Sequence, residues 1–250
     1  LRYYVCSDIH GFCTPFVNSI TEAGFFSDPE PHILVILGDL FDRGNQAALL
    51  QDYLLDLWRR KLVIFIKGNH EDLYESFAAA DDKIPYRYYD INRTLDTATQ
   101  LTGVSKEQAL DNIYSLMSRA MQTPLFTEII PEMRDYLETE HFIFTHGWIP
   151  CIKEGVNRFS YLYDWRNADK STWKSARWIN GIEAARTVRE IGKTIVCGHW
   201  HCSYGHYRYG NGKAEIGDNA DYSPFYSEGI IAIDACTSRS GICNCIVIDD

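Results

Sequence analysis

An α/β fold with mixed sheets follows from three features of the sequence. Short apolar runs alternate with amphipathic stretches over the first eighty residues, similar runs recur after residue 140, and the last fifty residues are strand-rich. The runs Tyr3–Cys6, Ile33–Leu37, Val63–Ile66, Phe142–Phe144 and Thr194–Cys197 are rich in β-branched and aromatic residues and too short for buried helices, so they predict core strands. Helical patterns at about 13–24 and 45–59, the latter apolar at Leu50, Leu54 and Leu57, separate the first three. That β-α-β-α-β opening predicts a partly parallel sheet covered on both faces.

Residues 71–135 predict helices at Glu71–Ala80, Asp90–Leu101 and Ser105–Met121. The last opens on a capping box, Ser105-x-x-Gln108, and carries Leu110, Ile113, Leu116, Met117 and Met121 as a stripe. The expectation is a single domain over 1–250 with a helical insert at about 81–135. Near the C-terminus, Tyr204–Tyr209, Gly210-Asn211-Gly212 and Ala214–Ile216 predict a hairpin, Gly229–Ala235 and Ile242–Ile248 two more strands, and Asn211–Ser223 a mobile loop.

Apolar residues at 46% and charged residues at 23% are ordinary for a globular chain and exclude a fibre, a coiled coil or a disordered segment. The net charge of −10, from 34 acidic and 24 basic residues, argues against nucleic acid as a partner. No run of 18 apolar residues exists, so no membrane span is expected, and the N-terminus reads as a strand rather than a signal peptide. Eight cysteines in 250 residues are too sparse for a disulfide scaffold; they predict reduced, packed thiols and a cytoplasmic protein.

The chemistry sits just after the five strands. In order come Asp8-Ile9-His10-Gly11, Gly38-Asp39-Leu40-Phe41-Asp42-Arg43-Gly44, Gly68-Asn69-His70-Glu71, His146-Gly147 and Gly198-His199-Trp200-His201. Ligands of open α/β sheets bind at carboxyl strand ends, so these motifs are placed to converge. Oxygen and imidazole donors suit manganese, iron or zinc, and a shared carboxylate between two such ions makes a bridging water acidic enough to attack phosphorus. Arg43 is suited to holding phosphate oxygens. Any one motif alone is weak; the ordered set is not.

The order D-x-H-G, G-D-x-x-D-R-G, G-N-H-E, H-G and G-H-x-H resembles the calcineurin-like metallophosphoesterases. The spelling of Gly38–Gly44 and Gly68–Glu71 is similar to the phosphoprotein phosphatase branch, which holds serine/threonine phosphatases and symmetrical diadenosine tetraphosphatases. The resemblance covers about 1–80, 140–150 and 190–250. It implies the metallophosphatase fold, two stacked mixed sheets flanked by helices. It implies that Asp8, His10 and His201 bind one divalent metal ion and Asn69, His146 and His199 a second, with Asp39 bridging. Manganese is expected first, with iron or zinc as alternatives. Arg43 would hold the substrate phosphate together with Asn69 and His70, and His70, oriented by Asp42, would be the general acid. A second arginine is usual in the branch; Arg166 in Asp164-Trp165-Arg166 is the candidate, with Arg177 and Arg186 as alternatives. Phe41 in place of the usual valine, and Gly147-Trp148 in place of alanine-glycine, leave the ligand set intact.

The implied activity is that of a dinuclear-metal phosphomonoesterase of serine/threonine protein phosphatase type, working by in-line attack of a metal-bridging hydroxide on a phosphorylated substrate. The alternatives are hydrolysis of a dinucleoside polyphosphate and, from another class, a non-catalytic scaffold, which would be expected to lack some of these positions. Tyr86, Tyr88, Tyr89, Trp165, Trp173 and Trp178 either grip a base or peptide or pack a helical layer on the core. With metals bound the pocket would be positive by about two charges within an acidic body, so phosphate binding should depend on metal occupancy. The sequence leaves the oligomeric state open.

Overall fold

The structure, a computed structural model, describes residues 1–81, 83–156 and 158–250. Asp82, inside the expected insert, lies outside the described residues. In chain order the first part runs β1 (Arg2–Cys6), α1 (Cys13–Glu22), β2 (His32–Ile36), α2 (Ala47–Arg59), β3 (Val63–Phe65) and α3 (Asn69–Ala78). Then come α4 (Tyr86–Ile91), α5 (Thr94–Thr102), α6 (Lys106–Asp111) and α7 (Ile113–Ala120). After β4 (Tyr136–Glu138) and β5 (Phe142–Thr145), a small β6–β7 hairpin (Cys151–Gly155, Arg158–Tyr161) precedes α8 (Lys170–Ala176), α9 (Gly181–Ala184) and β8 (Thr194–Cys197). The chain closes with α10 (Cys202–Tyr209), β9 (Phe225–Ser227), β10 (Ile230–Ala232), α11 (Thr237–Ser240) and β11 (Cys245–Asp249).

Two mixed sheets result, flanked by helices. One has the order β11-β1-β2-β3, with β1, β2 and β3 parallel and β11 antiparallel to β1. The other has the order β4-β5-β8-β10-β9, parallel through its three central strands. Strand alternation decides the layers. Tyr3 and Val5 pack with Phe144, Val196 and Ile233 between the sheets, while Tyr4 and Cys6 point to the other face, into a core shared with α1, α2, α3 and α5. The outer face of the second sheet packs on Trp148, Trp165 and Trp173. All five predicted core strands form, and their carboxyl ends carry the motifs.

Three expectations fail for identifiable reasons. The helix expected over Asp90–Leu101 is divided between α4 and α5, because Arg93 takes left-handed backbone with φ 64°. The helix expected over Ser105–Met121 is two helices. The capping box at Ser105 forms, but Asn112 leaves helical geometry and its side chain caps α7 by accepting the Ser115 N–H, so the stripe is broken and Leu110 is 75% exposed. The expected hairpin is the helix α10 instead. Cys202, Ser203 and Gly205 are buried, Gly205 so close to the Phe225 ring that a Cβ there would overlap it. Gly210 and Gly212 end this helix on the His206 carbonyl rather than making a hairpin turn. Packing at one helix face outweighs the strand preference of its tyrosines.

Candidate metal centre

Among the described residues, six of the ten non-glycine residues with positive φ are Asp8, His10, Asp39, Asp42, Arg43 and His199. Such backbone is costly for branched or bulky residues and clusters where the surroundings impose it. Here the imposition is mutual: Asp8 N–H donates to the Gly38 carbonyl, His10 N–H to that of Asp39 and Gly44 N–H to that of His10, so the first two motif loops brace each other. Gly198 approaches so closely that a Cβ would overlap Ser7 Oγ and Asp8 Oδ2.

The imidazoles are aimed by their backbone contacts. His10 Nδ1 lies 3.0 Å from the Phe41 carbonyl and His146 Nδ1 2.6 Å from that of Leu37. A carbonyl only accepts, so each Nδ1 carries a proton and Nε2 is the ring atom turned to the cluster. Those Nε2 atoms face carboxylate and amide oxygens, and His10 Nε2 also meets the Arg43 guanidinium. His146 Nε2 is 3.3 Å from Asp39 Oδ1 and 2.8 Å from Asn69 Oδ1; His10 Nε2 is 3.7 Å from Asp39 Oδ2 and 4.0 Å from Asp8 Oδ1. Ligand atoms of His10, Asp39 and His70, and of Asp39, His146 and His199, each fall within 4.8 Å of one another. Asp39 is common to both groups.

The electrostatics fit a cation. Burial and the Asp39 charge push the Asp8 carboxyl up to about 8, and burial with the same charge pushes Glu71 up to about 7. Asp39 itself is held below its usual range despite burial, because His146, His70, His10 and His199 surround it. Burial and Arg43 lower His10, and burial and His146 bring His199 down to about 3, keeping both neutral as a metal ligand must be. Asp8 Oδ1 is buried and makes no hydrogen bond. A divalent ion would satisfy that oxygen and the facing ligand atoms together, so the donor set fits the group.

The second part of the site is a buried histidine–aspartate pair beside an arginine. His70 Nδ1 is 2.7 Å from Asp42 Oδ2, and Thr94 and Thr97 hydroxyls donate to the two Asp42 oxygens at 2.8 Å each. Burial alone would lower the His70 pKa; the Asp39 and Asp42 carboxylates outweigh it and raise it. Arg43 Nη1 lies 2.9 Å from His10 Nε2 and Nη2 lies 3.3 Å from His70 Nε2, so its guanidinium spans the two rings.

Not every expected residue converges. His201 Nε2 is hydrogen-bonded to Glu215 Oε1 at 2.9 Å, which leaves Nδ1 as its atom for any ligand. Arg166 does not join the cluster: its guanidinium is held by Glu138 at 2.7 Å and Glu190 at 2.9 Å, beside the core of the second sheet that buries Trp165. The two alternatives are also engaged, Arg177 by Asp72 and Asp135 and Arg186 by the Tyr209 hydroxyl. The aromatic cluster divides: Tyr89, Trp165 and Trp173 are core, Tyr86 and Tyr88 are exposed, and Trp178 alone of the six packs against a motif residue, edge-on to His199 at 5.9 Å.

Five further residues around the site were given no role in the sequence reading. Asp234 lies two residues past the end of β10, is buried, and is pushed up to about 8 by burial and by Asp8; a polar residue after an apolar run was the available signal. Glu71 accepts the N–H groups of Asp39, Leu40 and Gly68 and so fixes the backbone around Asp39. The α5 residues Thr94, Thr97 and Gln100 grip the second motif, Gln100 through the Gly44 carbonyl and Ala47 N–H.

The curated asymmetrical bis(5'-nucleosyl)-tetraphosphatase PrpE of Halalkalibacterium halodurans is 22% identical over 134 residues, 50% of this chain, and the chain spans about half that relative's length, 52%. A Saccharomyces cerevisiae protein serine/threonine phosphatase with similarity to human PP5 matches with TM-score 0.52 at 15% identity, over 96% of this chain and 70% of that one. A cold-active protein-tyrosine phosphatase of a psychrophilic Shewanella species matches with TM-score 0.52 at 15% identity, over 100% and 75%. At these identities the structural likeness is one of fold. The sequence profile of the calcineurin-like phosphoesterases, a family that uses a dinuclear divalent metal centre, matches residues 1–211, and this chain belongs to that family.

Proposed function

We propose that this chain is a dinuclear-metal phosphoester hydrolase. In this reading Asp8, His10 and His201 hold one divalent ion, Asn69, His146 and His199 the other, and Asp39 lies between them. The observation that carries it is the pair of imidazoles, His10 and His146, whose Nε2 atoms face opposite oxygens of one buried carboxylate. Bound there, a metal pair supplies Lewis acidity to the phosphoryl oxygens and acidifies water. The chain supplies the rest. Arg43 holds phosphoryl oxygens, and His70, kept in orientation by Asp42, carries a proton on Nε2 to the departing oxygen. Manganese is the metal we assign, in keeping with the oxygen and imidazole donors. The whole of 1–250 acts as one catalytic domain with the 81–135 insert inside it, and the eight free thiols support a cytoplasmic location.

For the substrate, the motif spelling supports a phosphoserine or phosphothreonine monoester. A second reading, cleavage of a dinucleoside polyphosphate, is favoured by the activity named for the matched curated relative. The metal-stripped chain, reloaded with manganese and given para-nitrophenyl phosphate, tests the common reaction: turnover that appears only with metal supports it, and metal-independent or absent turnover from pH 5 to 9 defeats it.

A further inference from the structure

The imidazoles around the centre are not all aimed from the same place. His10 and His146 rest Nδ1 on the backbone carbonyls of Phe41 and Leu37, inside the motif loops or at a strand end. His201 is held by its other nitrogen and by a side chain. Its Nε2 lies 2.9 Å from Glu215 Oε1. A carboxylate only accepts, so Nε2 carries a proton and Nδ1 is the ring atom left to meet an ion. Glu215 belongs to none of the five motifs; it stands in the polar segment between α10 and β9. Among the described residues, His201 is the one side chain that Glu215 meets in a hydrogen bond or ion pair. The segment is pinned on both sides of it. Gly212 N–H donates to the His206 carbonyl at 2.9 Å, Asn244 Nδ2 donates to that of Tyr222 at 2.8 Å, and Ala214 bridges Ala220 in between. The Trp200 ring lies 6.0 Å from that of His201 and within 17° of its plane, so the imidazole has an aromatic neighbour as well as a carboxylate.

We infer that Glu215 is the positioning residue of the ion assigned to Asp8, His10 and His201: it holds His201 Nε2 and so turns Nδ1 to the metal. The inference rests on the dinuclear reading above and adds to it a residue from outside the motifs. A carboxylate on the far nitrogen of a metal-bound imidazole fixes the tautomer and the ring orientation and raises the basicity of the ligating nitrogen; losing it costs about 10–100-fold in metal affinity. The effect belongs to one ion of the two. Glu215 reaches only the first ligand set, and His146 and Asn69 of the second are buried, with His146 fixed by a backbone carbonyl instead.

The test titrates the metal-stripped full chain with manganese and follows binding by calorimetry. The wild type is expected to bind two ions. In Glu215→Ala one affinity falls about 10–100-fold and the other is unmoved; Glu215→Gln, which keeps an oxygen for Nε2 but no charge, recovers part of the loss. His201→Ala weakens the same ion, and adding Glu215→Ala to it costs nothing more, as for two residues that act as a unit. Paramagnetic resonance gives a second readout: at two equivalents of manganese the coupled-pair signal of the wild type gives way in Glu215→Ala to that of isolated ions. Without metal, the imidazole nitrogen NMR shifts of His201 report the Nε2-protonated tautomer in the wild type and a mixture in Glu215→Ala. Unmoved affinities in Glu215→Ala, a loss shared equally by both ions, or a double variant weaker than His201→Ala alone overturns the assignment. A wild-type chain that binds no manganese removes the dinuclear reading; the tautomer, read without metal, then still supports or overturns the hold of Glu215 on His201.

Discussion

His10 and His146 each spend one ring nitrogen on a backbone carbonyl and offer the other to Asp39. Asp39→Asn removes the charge that both face, and it is expected to lower kcat by orders of magnitude. The neighbouring pair makes a more discriminating prediction. An alkoxide leaving group needs a proton, whereas a departing nucleotide phosphate is stable as an anion, so the gain from a positioned acid, about 10²–10⁴-fold, applies to the first only. His70→Asn should therefore lower kcat by that factor on an alkyl phosphate and by under about tenfold on a phosphoanhydride; equal losses on both would contradict the role given to His70. The motif residues that converge were readable as candidates because each motif is local. Asp234 was not, since nothing in Ile233-Asp234-Ala235 says that β10 ends beside Asp8 until the second sheet is assembled.

The helix α5 reaches back to the second motif across more than fifty residues: Thr94 and Thr97 to Asp42, Gln100 to Gly44. Hydrogen bonds of that separation leave no periodic or spacing signal, which is why the insert could be read as helical but not as a brace for the catalytic loop. Thr97→Val deletes both hydrogen bonds of the Thr97 hydroxyl to Asp42, the one donated to its carboxylate and the one accepted from its N–H, while keeping shape; we expect a several-fold fall in kcat with a shifted acidic limb of the pH profile, reversed by Thr97→Ser. A change in KM alone would show that α5 does not act through the Asp42–His70 pair. The same limit explains the hairpin that is α10. Gly210-Asn211-Gly212 marks the end of an element, but whether strand or helix precedes it depends on Phe225 from β9, which the local sequence does not contain.

Across the whole molecule, the two ends of the chain meet. β11 pairs with β1, and the Leu1 amino group donates to the Asp250 carbonyl at 2.8 Å, so the strand that delivers Asp8 and His10 is held between β2 and the C-terminus. Asp28 anchors that edge: the Tyr4 hydroxyl, the Glu30 N–H and Arg2 hold its carboxyl down at about 2 from the ordinary 3.8. A depressed folded value means stability that is full above the ordinary pKa and is lost as pH falls through the folded one. The urea midpoint should thus decline between about pH 4 and pH 2, and Asp28→Asn should flatten that decline; an equally steep decline in the variant would place the acid sensitivity elsewhere. The acidic body and the predicted positive pocket are compatible only if the centre is loaded, and that is the claim on which the account depends. Metal content per chain after manganese reconstitution and removal of free ions tests it most directly. The account predicts two ions in the wild-type chain and a loss of metal in Asp39→Asn at unchanged secondary structure; a wild-type chain that retains none, or an Asp39→Asn chain that retains both, contradicts it.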